Sequence, residues 1–194
     1  TGTTSRIYDI RPGSSGSSLG LRMSMVVGDV LFFSANDGSS GHELWAYNTS
    51  NGSNPWRVMD INSGSDSSNP GHWLEILVGD TLYFSADDGS TGHELWAHDA
   101  SNHSTWQVTD ISSGSGDGNP GRYMQILVGD TIYFSATDGS TGDELWAHNT
   151  SNGTTWRVAD IYSGASGSMP GSHMNLLVGD TIYFDAAAVG GVEL

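Results

Sequence analysis

Residues 123–161 read YMQILVGDTIYFSATDGSTGDELWAHNTSNGTTWRVADI, and this stretch decides the fold. Met124 to Val128 is short and apolar. Gly129-Asp130 is a two-residue turn, with Gly in the first central position of a tight hairpin. Thr131 to Ala136 is β-branched and aromatic, the chemistry of a strand. Asp138-Gly139, followed by Gly142, is turn chemistry again. Glu144 to His148 is a third strand, Asn149 to Thr154 a polar loop, and Thr155 to Ile161 an alternating fourth strand. No window carries a helical period, and the density of Gly and Ser opposes one. Tyr133 faces opposite to Ile132 and Phe134. Both faces of that strand therefore carry bulk, as a sheet sandwiched between two neighbours requires.

The same words recur along the chain. Gly-Asp stands at Gly28-Asp29, Gly79-Asp80, Gly129-Asp130 and Gly179-Asp180, spaced by 51, 50 and 50 residues. Asp9-Ile10, Asp60-Ile61, Asp110-Ile111 and Asp160-Ile161 keep the same spacing, and Glu-Leu-Trp opens at Glu43, Glu94 and Glu144, with Glu193-Leu194 in a fourth copy. A fixed period of this length is the signature of a repeat architecture. One unit is four short antiparallel strands and a Ser/Gly-rich linker, the pattern of a β-propeller blade. The fold expected is all-β, about 50 residues per repeat, with blades at 22–61, 73–111 and 123–161 and a partial fourth at 173–194. Residues 4–10 match the fourth strand of a unit and complete the fourth blade, in the same chain or in a neighbouring one. The first case closes a ring; the second builds a head-to-tail fibre or a larger ring. A window from a longer array and an extended row of independent β-meanders are the other readings, although four strands alone bury too little.

Composition narrows function. The chain has 194 residues, 22 acidic against 6 basic, and a formal net charge of −16. All six basic residues are Arg, and there is no Cys. Nucleic-acid binding is not expected, because phosphate contacts need a basic face. Disulfides, thiolate metal sites, Cys nucleophiles and Lys chemistry have no residues to use. No stretch approaches the roughly 20 apolar residues of a membrane span, so membrane insertion is not expected. No leader pattern opens the sequence, so a mature form or a fragment is expected.

With Gly41-His-Glu-Leu-Trp45, Gly92-His-Glu-Leu-Trp96 and Gly142-Asp-Glu-Leu-Trp146 on the page, the chain resembles the ELWxxDGT repeat family. The preceding Leu31 to Ala35, Leu82 to Ala86 and Ile132 to Ala136, each followed by Asp-Gly, carry the same resemblance. It covers nearly the whole chain. It departs at Asn48-Thr-Ser50 and its counterparts, where the family has Asp-Gly-Thr, and at Ala187-Ala188-Val189. The resemblance implies a β-propeller fold and a secreted or cell-surface setting, and it implies no reaction.

Several residues are candidates for chemistry. Asn48, Asn51, Asn102, Asn149 and Asn152 are N-x-S/T acceptors, all in the loop between third and fourth strands, where glycosylation would reach them. The alternative is a polar turn that uses the tolerance of Asn for left-handed backbone. Asp37, Asp88 and Asp138 precede Gly in turns and are each followed by a Glu, a weak calcium pattern better read as turn-forming Asp. Asp9, Asp60, Asp110 and Asp160 are expected to accept hydrogen bonds at strand ends. The seven His residues form no constant set and are expected as polar surface residues rather than a zinc site. Trp45, Trp96 and Trp146, with Trp56, Trp106 and Trp156, are expected mainly to pack between blades; Trp73 has no equivalent Trp and is the exposed, ligand-binding candidate. No catalytic constellation and no cofactor motif is visible. The reading expected is a non-enzymatic extracellular glycoprotein with a structural or adhesive role, self-associating through strand or blade completion. A carbohydrate-binding propeller is the alternative.

Overall fold

The computed structural model describes residues 2–188 and 191–194. Among them there is no helix. Three four-stranded antiparallel sheets follow one another, each in simple sequence order. The first holds β1 (Ser24–Val27), β2 (Val30–Asn36), β3 (His42–Asn48) and β4 (Trp56–Met59). The second holds β5 (Glu75–Val78), β6 (Thr81–Asp87), β7 (His93–Asp99) and β8 (Ser104–Thr109). The third holds β9 (Gln125–Val128), β10 (Thr131–Thr137), β11 (Asp143–Asn149) and β12 (Thr154–Ala159). The first hairpin of each sheet turns on the expected Gly-Asp pair, with φ of +56° to +60° at Gly28, Gly79 and Gly129. The Asp that follows keeps a negative φ, the requirement of a turn with Gly first.

The sheets pack face to face. Phe32, Leu44 and Ala46 of the first sheet, with Met23 just before β1, meet Leu82, Phe84, Ala86 and Trp96 of the second, with Ile61 of the linker sealing the joint. The opposite face of the second sheet, with Tyr83, Leu95 and Ala97, meets Ile132, Phe134 and Ala136 of the third, sealed by Ile111. The middle strand of the second sheet is thus buried on both faces, as the run Leu82-Tyr83-Phe84 demands. Burial of such aliphatic and aromatic side chains stabilises the joint by about 1.5–3 kcal/mol each.

The fourth unit holds β13 (Asn175–Val178) paired with β14 (Thr181–Phe184), and β15 (Ala186–Ala188) paired with β16 (Gly191–Glu193). The register Ala186↔Glu193 repeats Ala35↔Glu43. Asp185, where the other units have Ser34, Ser85 and Ser135, separates β14 from β15. Of the departure expected at 187–189, Val189 lies outside the described residues.

The expected fourth strand at 4–10 is not formed by pairing within this chain. These residues are not assigned to any strand. They lie along the outer face of the first sheet, where Ile7, Tyr8 and Ile10 line a cavity of about 270 Å³ with Leu31, Phe33 and Tyr47. The physical reason is that a strand needs a partner edge, and the edge they match in register, β16, is not hydrogen-bonded to them. Ile10 nevertheless packs on Phe33, Ala35 and Trp45 as Ile61 packs on the second sheet.

Candidate functional site: the clefts between neighbouring sheets

The Glu of each Glu-Leu-Trp word is a buried acceptor held by three donors. Glu43, Glu94 and Glu144 are fully buried. Glu43 accepts the N–H of Ile61 at 2.8 Å, the N–H of Ser68 at 2.9 Å and the Ser68 hydroxyl at 2.6 Å. Glu94 accepts three backbone N–H groups, from Ile111, Ser112 and Gly118. Glu144 repeats the Glu43 pattern with Ile161 and Ser168. Each carboxylate therefore ties its own third strand to the linker that leads into the next sheet. Burial pushes Glu43 and Glu94 up to about 7, and the hydrogen bonds oppose only part of that shift. Sequence reading gave this Glu only a place in a weak calcium pattern, because its donors lie 17 to 25 residues downstream.

Two clefts open between sheets near the outer strands, and they correspond residue by residue. The first, about 260 Å³, is lined by Phe32, Trp56 and Val58 of the first sheet and by His98 and His103 of the second unit. The second, about 150 Å³, is lined by Tyr83, Trp106, Val108, His148, Thr150 and Gly153. Trp56 and Trp106 are 39% and 40% exposed, which corrects the expectation that all six repeated Trp residues mainly pack. The expectation of surface His is also wrong here: His98 and His148 are 1% and 2% exposed. Each sits opposite the aromatic ring of the preceding sheet, His98 at 5.1 Å from Phe32 and His148 at 5.4 Å from Tyr83. Their Nδ1 atoms meet Thr105 and Thr155 hydroxyls at 2.8 and 2.9 Å. His98 Nε2 is buried without a partner.

These two rings carry a pH prediction. Burial, with a smaller contribution from His103, lowers His98 to about 4, and burial lowers His148. An unfolded His takes a proton below about 6.5 while the folded one stays neutral, so this stability is present above 6.5 and lost as pH falls. Glu43 and Glu94 act in the opposite sense, since their raised values favour the fold below about 4.5 and cost stability as pH rises through about 7. Tyr47 occupies the equivalent position in the first sheet, so His98→Tyr isolates the His contribution. Between pH 7.5 and pH 5 the variant should gain about 1–2 kcal/mol on the parent. Thermal unfolding at the two pH values reads this; parallel curves would refute it.

The five Asn acceptors separate into two kinds. Asn51, Asn102 and Asn152 are exposed at the loop tip. Asn48 and Asn149 end the third strands, half-buried. Asn149 Oδ1 accepts the Ser151 N–H and hydroxyl and the Asn152 N–H, and Asn48 does the same two repeats earlier. Asp99 holds this capping position in the second unit. The polar-turn role thus belongs to Asn48 and Asn149. Asn102 and Asn152 instead border the clefts, since His103 lines one and Thr150 and Gly153 line the other.

The acidic turns are occupied by their own loops. Asp37 Oδ1 accepts both the N–H and hydroxyl groups of Ser39 and Ser40. Asp88 and Asp138 repeat this with Ser90, Thr91, Ser140 and Thr141. Burial alone would raise Asp37 and Asp138, but these donors hold both down at about 2. Asp138 Oδ2 faces Arg157 at 3.4 Å. Among the described residues no three metal-ligating side chains gather. Asp9 and Asp60 likewise differ from expectation: each faces the Arg three residues before it, at 3.1 and 3.6 Å, and Asp60 Oδ1 has no hydrogen-bond partner.

Trp73 is half-buried rather than free on the surface. It stacks on His72 at 4.2 Å and meets the His93 ring edge at 4.7 Å, while Arg22 of the first unit reaches His72 Nδ1 at 2.8 Å. The corresponding positions in successive units carry Arg22, Trp73, Tyr123 and His173. The same backbone anchor holds them. Ser85 and Ser135 hydroxyls accept the Trp73 and Tyr123 N–H groups, and Asp185 accepts that of His173. Sequence reading missed this symmetry-breaking series, because an alignment of the units on Gly-Asp alone does not mark which variable position faces a neighbour.

No family model matches the chain, and no curated protein matches it. Solved structures do. A mutant of puromycin hydrolase complexed with PGG is similar with a TM-score of 0.54 at 12% identity, over 83% of this chain and 24% of that one. TolB from Acinetobacter baumannii gives a TM-score of 0.47 at 11% identity, over 85% and 40%. BamB from Moraxella catarrhalis gives 0.39 at 16% identity, over 87% and 46%. The chain spans less than half the length of each. The likeness to the first shows fold alone.

Proposed function

We propose that the protein is a non-enzymatic structural or adhesive glycoprotein of an extracellular surface, a four-bladed β-propeller whose fourth sheet is completed by residues 4–10. One observation carries the completion of the fourth sheet. The fourth unit has the clamp carboxylate, Glu193, and the N-terminal segment has the matching donors, Ile10 and Ser17, at the positions of Ile61 and Ser68. Supporting it, Leu176, Val178 and Tyr183 are 55%, 56% and 45% exposed, while their counterparts Ile76, Val78 and Tyr83 lie under the next sheet. The outer face of the first sheet, with Leu31 and Phe33, is the surface that continues the series. Completion within one chain closes a ring, and completion between copies builds a filament. The net charge of −16 keeps either product hydrated and sensitive to divalent cations.

Register makes this testable. Leu44 pairs with Met59, Leu95 with Thr109 and Leu145 with Ala159. The equivalent fourth pair is Leu194 with Tyr8. In a Tyr8→Cys, Leu194→Cys double variant, the two thiols should oxidise to a disulfide, because directly opposed strand positions meet disulfide geometry. A crosslinked monomer on a non-reducing gel identifies the ring, and a ladder of linked copies identifies the filament. Crosslinking no better than in a Tyr8→Cys, Leu176→Cys control would overturn blade completion. A second reading, carbohydrate binding, draws on the repeated, 39–40% exposed Trp56, Trp106 and Trp156.

A further inference from the structure

We propose that the two clefts seat the first sugar ring of N-linked glycans carried by their own loops, at Asn102 and Asn152. This rests on the glycoprotein reading above and adds to it a built receptor for the attached sugar. The cleft beside Asn102 offers a Trp56 face open to solvent, with Val58 and Phe32 behind it. At about 260 Å³ it is a one-ring site, below the roughly 300–1,000 Å³ of larger ligand pockets. Its buried wall holds His98, whose Nε2 has no partner in the protein. An apolar aromatic floor and one unpaired polar atom match a pyranose ring, which has a C–H face and hydroxyl or acetamide groups at its rim.

The loop geometry delivers the sugar there. His103, the middle residue of the Asn102 acceptor, adopts a left-handed φ of +62° and contributes to the cleft lining. Asn102 Oδ1 is held by the Ser104 N–H and Nδ2 donates to Asp99 at 2.7 Å. The amide has two hydrogens. Glycosylation breaks the other N–H bond and the C1–O bond of a pyrophosphate-activated sugar donor, joins the amide nitrogen to the anomeric carbon, and releases the amide proton and the pyrophosphate leaving group. The Asp99 bond can survive, so the linkage is fixed before the ring settles. The second cleft sets an exposed Trp106 and a buried His148 beside Asn152.

Asn51 supplies an internal control. Where the other clefts have Trp, its cavity has Ser5, and where they have His it has Tyr47. A sugar on Asn51 should therefore stay mobile.

The test uses protein made in a host that attaches N-acetylglucosamine, with the glycans trimmed enzymatically to that single residue. Site occupancy is read by mass spectrometry and the acetyl methyl groups by NMR. The methyls at Asn102 and Asn152 should be shifted upfield by the indole rings, and the one at Asn51 should not. Trp56→Ala should abolish the shift at Asn102 alone, and Trp106→Ala that at Asn152 alone. Three unshifted methyls on fully occupied sites would overturn the cleft proposal and leave the glycoprotein reading intact. Bare Asn102 and Asn152 would overturn both the tethered sugar and that reading. Free N-acetylglucosamine titrated into the bare protein then reports the clefts alone: saturable shifts of the Trp56 and Trp106 indole N–H signals would retain them as sugar sites, and static signals would remove them.

Discussion

Glu94→Ala should destabilise the protein by roughly 2–4 kcal/mol, because it leaves two buried donors without an acceptor, each costs about 1–3 kcal/mol, and water rescues part of the sum. The carboxylate accepts Ile111 N–H at 2.8 Å, Ser112 N–H at 3.2 Å and Gly118 N–H at 2.8 Å, at a site with no solvent access. Removing it strands the Ile111 and Ser112 N–H groups, while the Gly118 N–H keeps the His93 carbonyl at 3.0 Å. The loss is local before it is global. Residues 111–118 carry the chain from the second sheet to the third, and Ile111 seals the joint between Leu95 and Phe134. Hydrogen exchange at the Ile111 and Ser112 amides should therefore accelerate more than exchange within β6. Glu94→Gln keeps one carbonyl acceptor and should lie between parent and Glu94→Ala in chemical denaturation. A Glu94→Ala midpoint within error of the parent would show that the clamp does not hold the linker.

The repeat, the four-stranded order and the two-residue Gly-Asp turns were legible in the sequence, because they depend on neighbours close in the chain. Turn chemistry at Gly129-Asp130 and the doubly apolar run Ile132-Tyr133-Phe134 each announce themselves within a few residues. What stayed hidden depends on partners about one strand or one unit away. Glu94 looked like any acidic residue of a chain with 22 of them, and only its position against the linker makes it a clamp. His98 looked like a surface His, since the Thr105 hydroxyl and the Phe32 ring that surround it come from another strand and another sheet. Trp73 looked exposed because its cover, His72 and His93, is split between a linker and β7. Residues 4–10 carried the strand pattern, but a pattern does not say where the partner edge lies, and they are unpaired within this chain.

The Gly of Gly-His-Glu-Leu-Trp was legible as a repeated letter, and the structure gives it a cause with a large expected cost. Gly92→Ala should destabilise by about 3 kcal/mol, combining about 1–2 kcal/mol for a left-handed non-Gly residue with about 1–3 kcal/mol for displaced packing. Gly92 has a φ of +71°, and a Cβ there would lie 2.6 Å from the Gly116 carbonyl oxygen and 2.7 Å from Asp117 Oδ1. The first of these is backbone and belongs to the linker that Glu94 holds two residues later, so it can yield only by straining the Gly118–Glu94 bond. Gly79 separates the two contributions: its φ is +60°, but an added Cβ meets nothing within 4 Å. Gly79→Ala should therefore cost only the conformational part, about 1–2 kcal/mol. Urea midpoints at unchanged m-value measure both. Equal losses in the two variants would mean that the linker moves aside freely, and that the close approach of Gly92 to residues 116–117 does not fix the spacing between successive sheets.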